Sequence, residues 1–78
     1  MYKITRANDG KEFKTESYKF VIFENGKSKE MVESPVVGSA LIIPPYNAMY
    51  SWMTSEIVTV VNEFEFITKN SNYKIEKL

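Results

Sequence analysis

Between Tyr46 and Ser55 the chain sets the rings of Tyr46, Tyr50 and Trp52 beside the hydroxyls of Ser51, Thr54 and Ser55. Flat rings stack on bases or sugars, and hydroxyls and loop amides satisfy ribose or phosphate oxygens, so this grouping suits a nucleotide-like ligand. The same residues have a second reading: Trp52 and one tyrosine complete the core of a small β domain, which needs large side chains. Arg6 is the only arginine, and therefore the sole candidate for a two-pronged grip on an anion; otherwise it is a solvated strand end. Asn70, in the run Asn70-Ser71-Asn72, is a turn residue first and a polar rim second.

Other chemistries are excluded by residue type. The chain has no histidine and no cysteine, which removes imidazole acid–base catalysis, Cys nucleophiles, Ser-His triads and the usual zinc and copper ligand sets. Glu63 and Glu65 flank Phe64 and share one side of a strand near a turn, where two carboxylates ordinarily form a solvated face. The loops at Gly10, Gly26 and Gly38 match no phosphate-loop spacing. The expectation is a protein without catalytic residues, metal or cofactor.

The elements that must position these residues are short strands. Tyr2-Lys3-Ile4-Thr5-Arg6 alternates, with Tyr2, Ile4 and Arg6 on one side, and runs into the turn Asn8-Asp9-Gly10. The polar stretch from Lys11 to Ser17 is either a surface loop pinned by Phe13 or a short edge strand. Tyr18 to Glu24 is a strand closed by Asn25-Gly26, a hairpin signal because both residues tolerate positive φ. This register sets Glu24 against Lys27, Ile22 against Lys29 and Phe20 against Met31. The return segment through Val32 reads as an edge strand guarded by Lys27 and Lys29, with a short helix from Ser28 to Glu33 as the competing reading. Gly38 to Ile43 is a buried strand stopped by Pro44-Pro45. After it, Asn47 caps a helical turn carrying Met49, Trp52 and Met53, or else the next strand starts early, aligning Tyr50, Trp52 and Thr54.

Trp52 to Ile75 then reads as a meander. With turns centred on Asn62-Glu63 and Asn70-Ser71, Val61 faces Phe64, Thr59 faces Phe66, Ile57 faces Thr68, Thr68 faces Tyr73 and Phe66 faces Ile75. One side collects Ile57, Thr59, Val61, Phe64, Phe66, Thr68, Tyr73 and Ile75. The other holds Val58, Val60 and Ile67 among Glu65, Lys74 and Glu76, and its apolar end asks for a cover. The whole predicts a mainly β, single-domain chain over 1–78: a small SH3-like or OB-like barrel of five or six antiparallel strands.

Length and charge bound the partners. A chain of 78 residues buries only about 60 to 65% of the surface its unfolded form exposes. Without disulfides or metal, association is the remaining staple, so a homo-oligomer is expected. Ten basic and ten acidic residues are interleaved along the chain, which disfavours duplex nucleic acid and weakens a single-stranded nucleic-acid reading. No apolar run approaches a membrane span and no signal-peptide layout opens the chain, so the expected compartment is cytoplasmic.

The segment Thr68-Lys69-Asn70-Ser71-Asn72-Tyr73-Lys74-Ile75, preceded by Trp52-Met53-Thr54-Ser55-Glu56-Ile57, resembles short bacteriophage-encoded proteins with a Thr-Ser-x-Ile strand and, one hairpin later, a Thr-x-Asn-Ser-x-Tyr hairpin. The resemblance covers the last third of the chain. It implies a viral protein acting in the host cytoplasm without catalysis, blocking defence by sequestering a nucleotide signal in an oligomer or by binding a host protein. The ligand-binding residues expected under the first reading are Tyr46, Tyr50, Trp52, Thr54, Ser55, Arg6 and Asn70. The alternative is a protein–protein inhibitor or adaptor, using the aromatic loop or a strand edge.

Overall fold

The computed structural model describes residues 1–47 and 51–78. Its strands are β1 (Tyr2–Arg6), β2 (Glu12–Thr15), β3 (Lys19–Glu24), β4 (Lys27–Val32), β5 (Ser39–Ile42), β6 (Ile57–Asn62), β7 (Glu65–Thr68) and β8 (Asn72–Lys77). They form a five-stranded sheet in the order β2-β1-β8-β7-β6 and a three-stranded sheet in the order β4-β3-β5, with every ladder antiparallel. The all-β expectation holds. The strands number eight among the described residues, not five or six, and they form two sheets with no closed barrel detected.

Alternation in β3 explains why two sheets suffice. Phe20 points to the space between the sheets, where it meets Ile4, Leu41, Ile57, Phe66, Tyr73 and Ile75. Val21 points the other way and packs with Ala40 and Ile42 under Phe23, Tyr46 and Met53. A strand flanked on both edges and buried on both faces tolerates no polar side chain at its centre, and none is there. The polar segment from Lys11 resolves as the edge strand β2, with Phe13 packed on the core, and 28–33 is strand up to Val32.

Turn chemistry corrects the predicted registers. At Asn25-Gly26 the pair Glu24↔Lys27 forms as expected, with φ of 53° and 78° at the turn residues. A bulge follows, so Ile22 meets Glu30 and Phe20 meets Val32, where Lys29 and Met31 were expected. The Asn62 side chain accepts a bond from the Phe64 amide at 2.8 Å, which moves that turn to Glu63-Phe64. Ile57↔Thr68 survives, but two bulges in β6 re-aim the strand: Val60 turns to the core, while Val61 and Phe64, expected inside, are 53% and 51% exposed. At the second turn Thr68 Oγ1 donates to the Ser71 carbonyl at 3.0 Å and accepts from the Ser71 amide at 3.1 Å, which tightens the loop to Thr68…Ser71. Phe66 therefore faces Tyr73 in place of Ile75. A slip of two residues preserves parity, so Phe66, Thr68, Tyr73 and Ile75 all remain buried.

The segment 52–57 stitches the sheets together. Met53 bridges to Ile42 at the edge of β5, and four residues later Ile57 pairs with Thr68 in the large sheet. The Gly38 amide closes the corner on the Ile57 carbonyl at 2.9 Å. The readings of 47–53 as helical turn or early strand fall in part on 48–50, outside the described residues; Trp52 and Met53 run beside β5.

Phe66 is fully buried and touches both Phe20 and Tyr73. Phe66→Ala is expected to cost about 3 to 5 kcal/mol, read from urea midpoints. A loss below about 1 kcal/mol would contradict its place at the centre of the core.

Candidate functional site

The hydroxyls expected to face a ligand are engaged by the fold. Thr54 is buried; its Oγ1 accepts from the Leu41 amide at 3.0 Å and donates to the Ser55 carbonyl at 2.9 Å, while its own amide donates to the Leu41 carbonyl at 3.0 Å. Side chain and backbone together close the outer edge of β5, as a neighbouring strand would. Ser55 Oγ donates to Thr68 Oγ1 at 2.8 Å, reaching the large sheet. The Trp52 ring lies 4.4 Å from Phe13 and 6.0 Å from Tyr73, centroid to centroid, and belongs to the core. Asn70 is exposed in the turn, its carbonyl accepting from the Asn8 side chain at 2.8 Å. Tyr50 lies outside the described residues.

Arg6 is committed too. Its Nε and Nη2 fork onto the two Asp9 oxygens at 3.1 and 2.7 Å, and its guanidinium sits 5.8 Å from the centre of the Phe13 ring. The Asp9 carboxylate first, and the Tyr73 hydroxyl second, raise the Arg6 pKa further above its ordinary range. The same fork, with the Lys11 amide as second donor, holds Asp9 down to about 2 from 3.8. Arg6 thus ties the β1–β2 turn together.

Tyr46 alone among the described predicted residues lines a recess with unlike chemistry on its walls. Tyr2, Ser17, Tyr18, Lys19, Glu33 and Tyr46 enclose a cleft of about 350 Å³ at the N-terminal end of β3. Tyr46 has φ of 62°, a left-handed conformation that costs a bulky residue about 1 to 2 kcal/mol. It is held by its amide bond to the Ile43 carbonyl at 3.1 Å and by a short hydrogen bond between its hydroxyl and Ser17 Oγ. The Lys19 ammonium lies 5.2 Å from the centre of its ring. Across the cleft Tyr2 and Tyr18 stand edge to face at 5.0 Å and 89°. Burial is the first cause raising the Tyr18 phenol pKa, and the charges of Tyr2, Glu63 and Glu33 add to it.

A larger groove of about 500 Å³ runs along Phe23, Gly26, Gly38, Ala40, Met53, Thr54 and Glu56. Its carboxylate, Glu56, already meets Lys69 at 3.0 Å and its hydroxyl is Thr54, engaged as above. Both recesses mix polar and apolar lining, but the groove's Glu56 and Thr54 are held by Lys69 and Leu41, whereas the tyrosine cleft adds three tyrosine rings and an ammonium lying over one of them. Tyr2, Ser17, Tyr18, Lys19 and Glu33 were not singled out from sequence, because they meet Tyr46 only through the sheet topology. Their one signal was Tyr2 and Tyr18 at the very ends of strands, on the core side. Among the described residues no group of three or more His, Cys, Asp or Glu could hold a metal, and no helix is long and apolar enough to cross a membrane.

The Asp9 geometry has a signed consequence. Its folded pKa, about 2, lies below the ordinary 3.8, so its contribution to stability is present above 3.8 and is lost as pH falls toward 2. Stability of the wild-type protein is expected to fall more steeply between pH 4 and 2 than that of Asp9→Asn. Parallel acid limbs in denaturation midpoints would dissolve the link. No family model, no curated protein and no solved structure matches this chain.

Proposed function

We propose that this chain is a non-enzymatic binding protein that sequesters a small nucleotide-derived ligand, in the manner of a phage anti-defence protein acting in a host cytoplasm. The tyrosine cleft carries the reading: it combines aromatic faces for a base, the Ser17 and Tyr46 hydroxyls for sugar oxygens and the Lys19 ammonium for a phosphate, within a volume suited to part of a nucleotide. Binding lowers the free concentration of a signal by mass action and needs no catalytic residue. The fold under this reading is an open variant of the SH3-like or OB-like barrel, in which the corner at 52–57 replaces a continuous strand.

Calorimetry against cyclic nucleotides and ADP-ribose derivatives should give saturable heat with at least one compound, abolished by Tyr46→Ala in a sample whose β-sheet circular dichroism is unchanged. A folded protein that gives no heat with any of them discards the ligand reading.

A second reading, a homo-oligomer or an adaptor for a host protein, rests on the edge strand β6. Val58 and Val61 are 45% and 53% exposed on it, Phe64 follows in the turn, and Val58 to Val61 carries no charge. The opposite edge, β2, and the edge strand β4 carry Glu12, Lys14, Lys27 and Lys29, the usual guards against strand addition. Light scattering across a concentration series is expected to show a dimer or larger species that Phe64→Ser shifts toward monomer. A monomer at every concentration removes self-association.

A further inference from the structure

The cleft is divided by the strand that enters it. Tyr18 and Lys19 are neighbours in sequence, so alternation sends them to opposite faces of the small sheet. Tyr18 packs against Phe20 between the sheets, whereas Lys19 lies over Tyr46 on the outer face. The ammonium and the mutually hydrogen-bonded hydroxyls of Ser17 and Tyr46 therefore gather at one end. Two perpendicular tyrosine rings stand at the other, and Glu33, which lines the same cleft, acts by its charge on the Tyr18 phenol.

Tyr2 and Tyr18 touch edge to face, so one ring face is taken by the other ring; the ring surface left lining the cleft, beside the Glu33 carboxylate, suits a positive charge, with the carboxylate as counter-charge. Tyr46 displays the same preference by taking the Lys19 ammonium over its ring. The surroundings reinforce it at the Tyr18 end, where Glu33 and Glu63 both lie close enough to act on the phenol. Lys77, opposite Tyr2 across the β1–β8 ladder, is exposed and does not line the cleft.

We infer that the cleft is built for a charge-separated ligand, a nucleotide whose ring is positively charged by N-alkylation, with that ring against Tyr2, Tyr18 and Glu33, its sugar at Ser17 and Tyr46 and its phosphate at Lys19. The inference rests on the nucleotide-binding reading above and narrows it: a neutral base with the same phosphate fills the volume but leaves Glu33 without a counter-charge, and an anionic base is repelled.

Nicotinamide mononucleotide, which carries a pyridinium ring and a phosphate, and its dihydro form, which has the same size and phosphate but a neutral ring, separate the two ideas. Calorimetry on the folded protein is expected to favour the pyridinium form by about tenfold. Glu33→Gln, a change at an exposed position, should bring the two forms to within about twofold of one another. Lys19→Gln should weaken both phosphorylated compounds and leave their ratio unchanged. Equal affinity for the pyridinium and dihydro forms, or a preference left undiminished by Glu33→Gln, overturns the charge-separated site while leaving nucleotide binding intact. Absence of heat with these compounds and with AMP overturns both.

Discussion

The fold hangs on a line of aromatic contacts that crosses the molecule. Tyr2 meets Tyr18, Tyr18 meets Phe20, Phe20 meets Phe66 across the gap between the sheets, and Phe66 stacks on Tyr73. From Tyr73 the line continues through Trp52 to Phe13, where the Arg6 guanidinium ends it. Each ring buries a large area and the pairs adopt mostly edge-to-face or tilted geometry, so the line supplies both the bulk of the core and its orientation. In a domain too small for many layers, one such line decides where the sheets sit relative to each other. It also decides where they stop touching. At Tyr2 and Tyr18 the line of ring contacts ends among the described residues, and the proposed ligand cleft opens there.

Hydroxyls do a complementary job. Among the described residues Thr15, Ser39, Thr54 and Thr68 are the buried polar side chains, and each donates to a carbonyl one to three residues away. No buried side-chain polar atom among the described residues lacks a partner. A short chain folded into two sheets has many sharp corners, and each strands backbone groups that cannot join a ladder; a small hydroxyl reaches them without adding bulk. This is why Thr54 and Ser55 resemble ligand contacts in the sequence and turn out to be masonry in the structure.

What was legible in the sequence was whatever depends on parity or on a local turn. Phe20 and Val21 on opposite faces, the Asn25-Gly26 hairpin and the inward set Phe66, Thr68, Tyr73 and Ile75 all follow from alternation, which survives a two-residue slip. Val60, Val61 and Phe64 were misplaced because a bulge reverses parity and leaves no reliable residue signature. The corner at 52–57 was hidden for a related reason, since it is an agreement between distant partners, Leu41 on one side and Thr68 on the other. The cleft is the extreme case. Tyr46 was visible as an aromatic out of place after two prolines, but its neighbours come from β1, from the start of β3 and from the segment after β4, and only the assembled sheets bring them together.

The position of β1 has a consequence for how the chain reaches this structure. β1 pairs locally with β2 on one edge and with β8, the last strand, on the other. A ladder joining the first and last strands closes the longest loop the chain offers, and topologies dominated by such closures fold in milliseconds to seconds, not microseconds. During synthesis the β1–β2 hairpin precedes β8, so the pair Ile4↔Ile75 forms only after the last strand has been made. The large sheet is therefore completed last, by its C-terminal strand, and any shortening of β8 strands the N-terminal hairpin with an open edge and an apolar face.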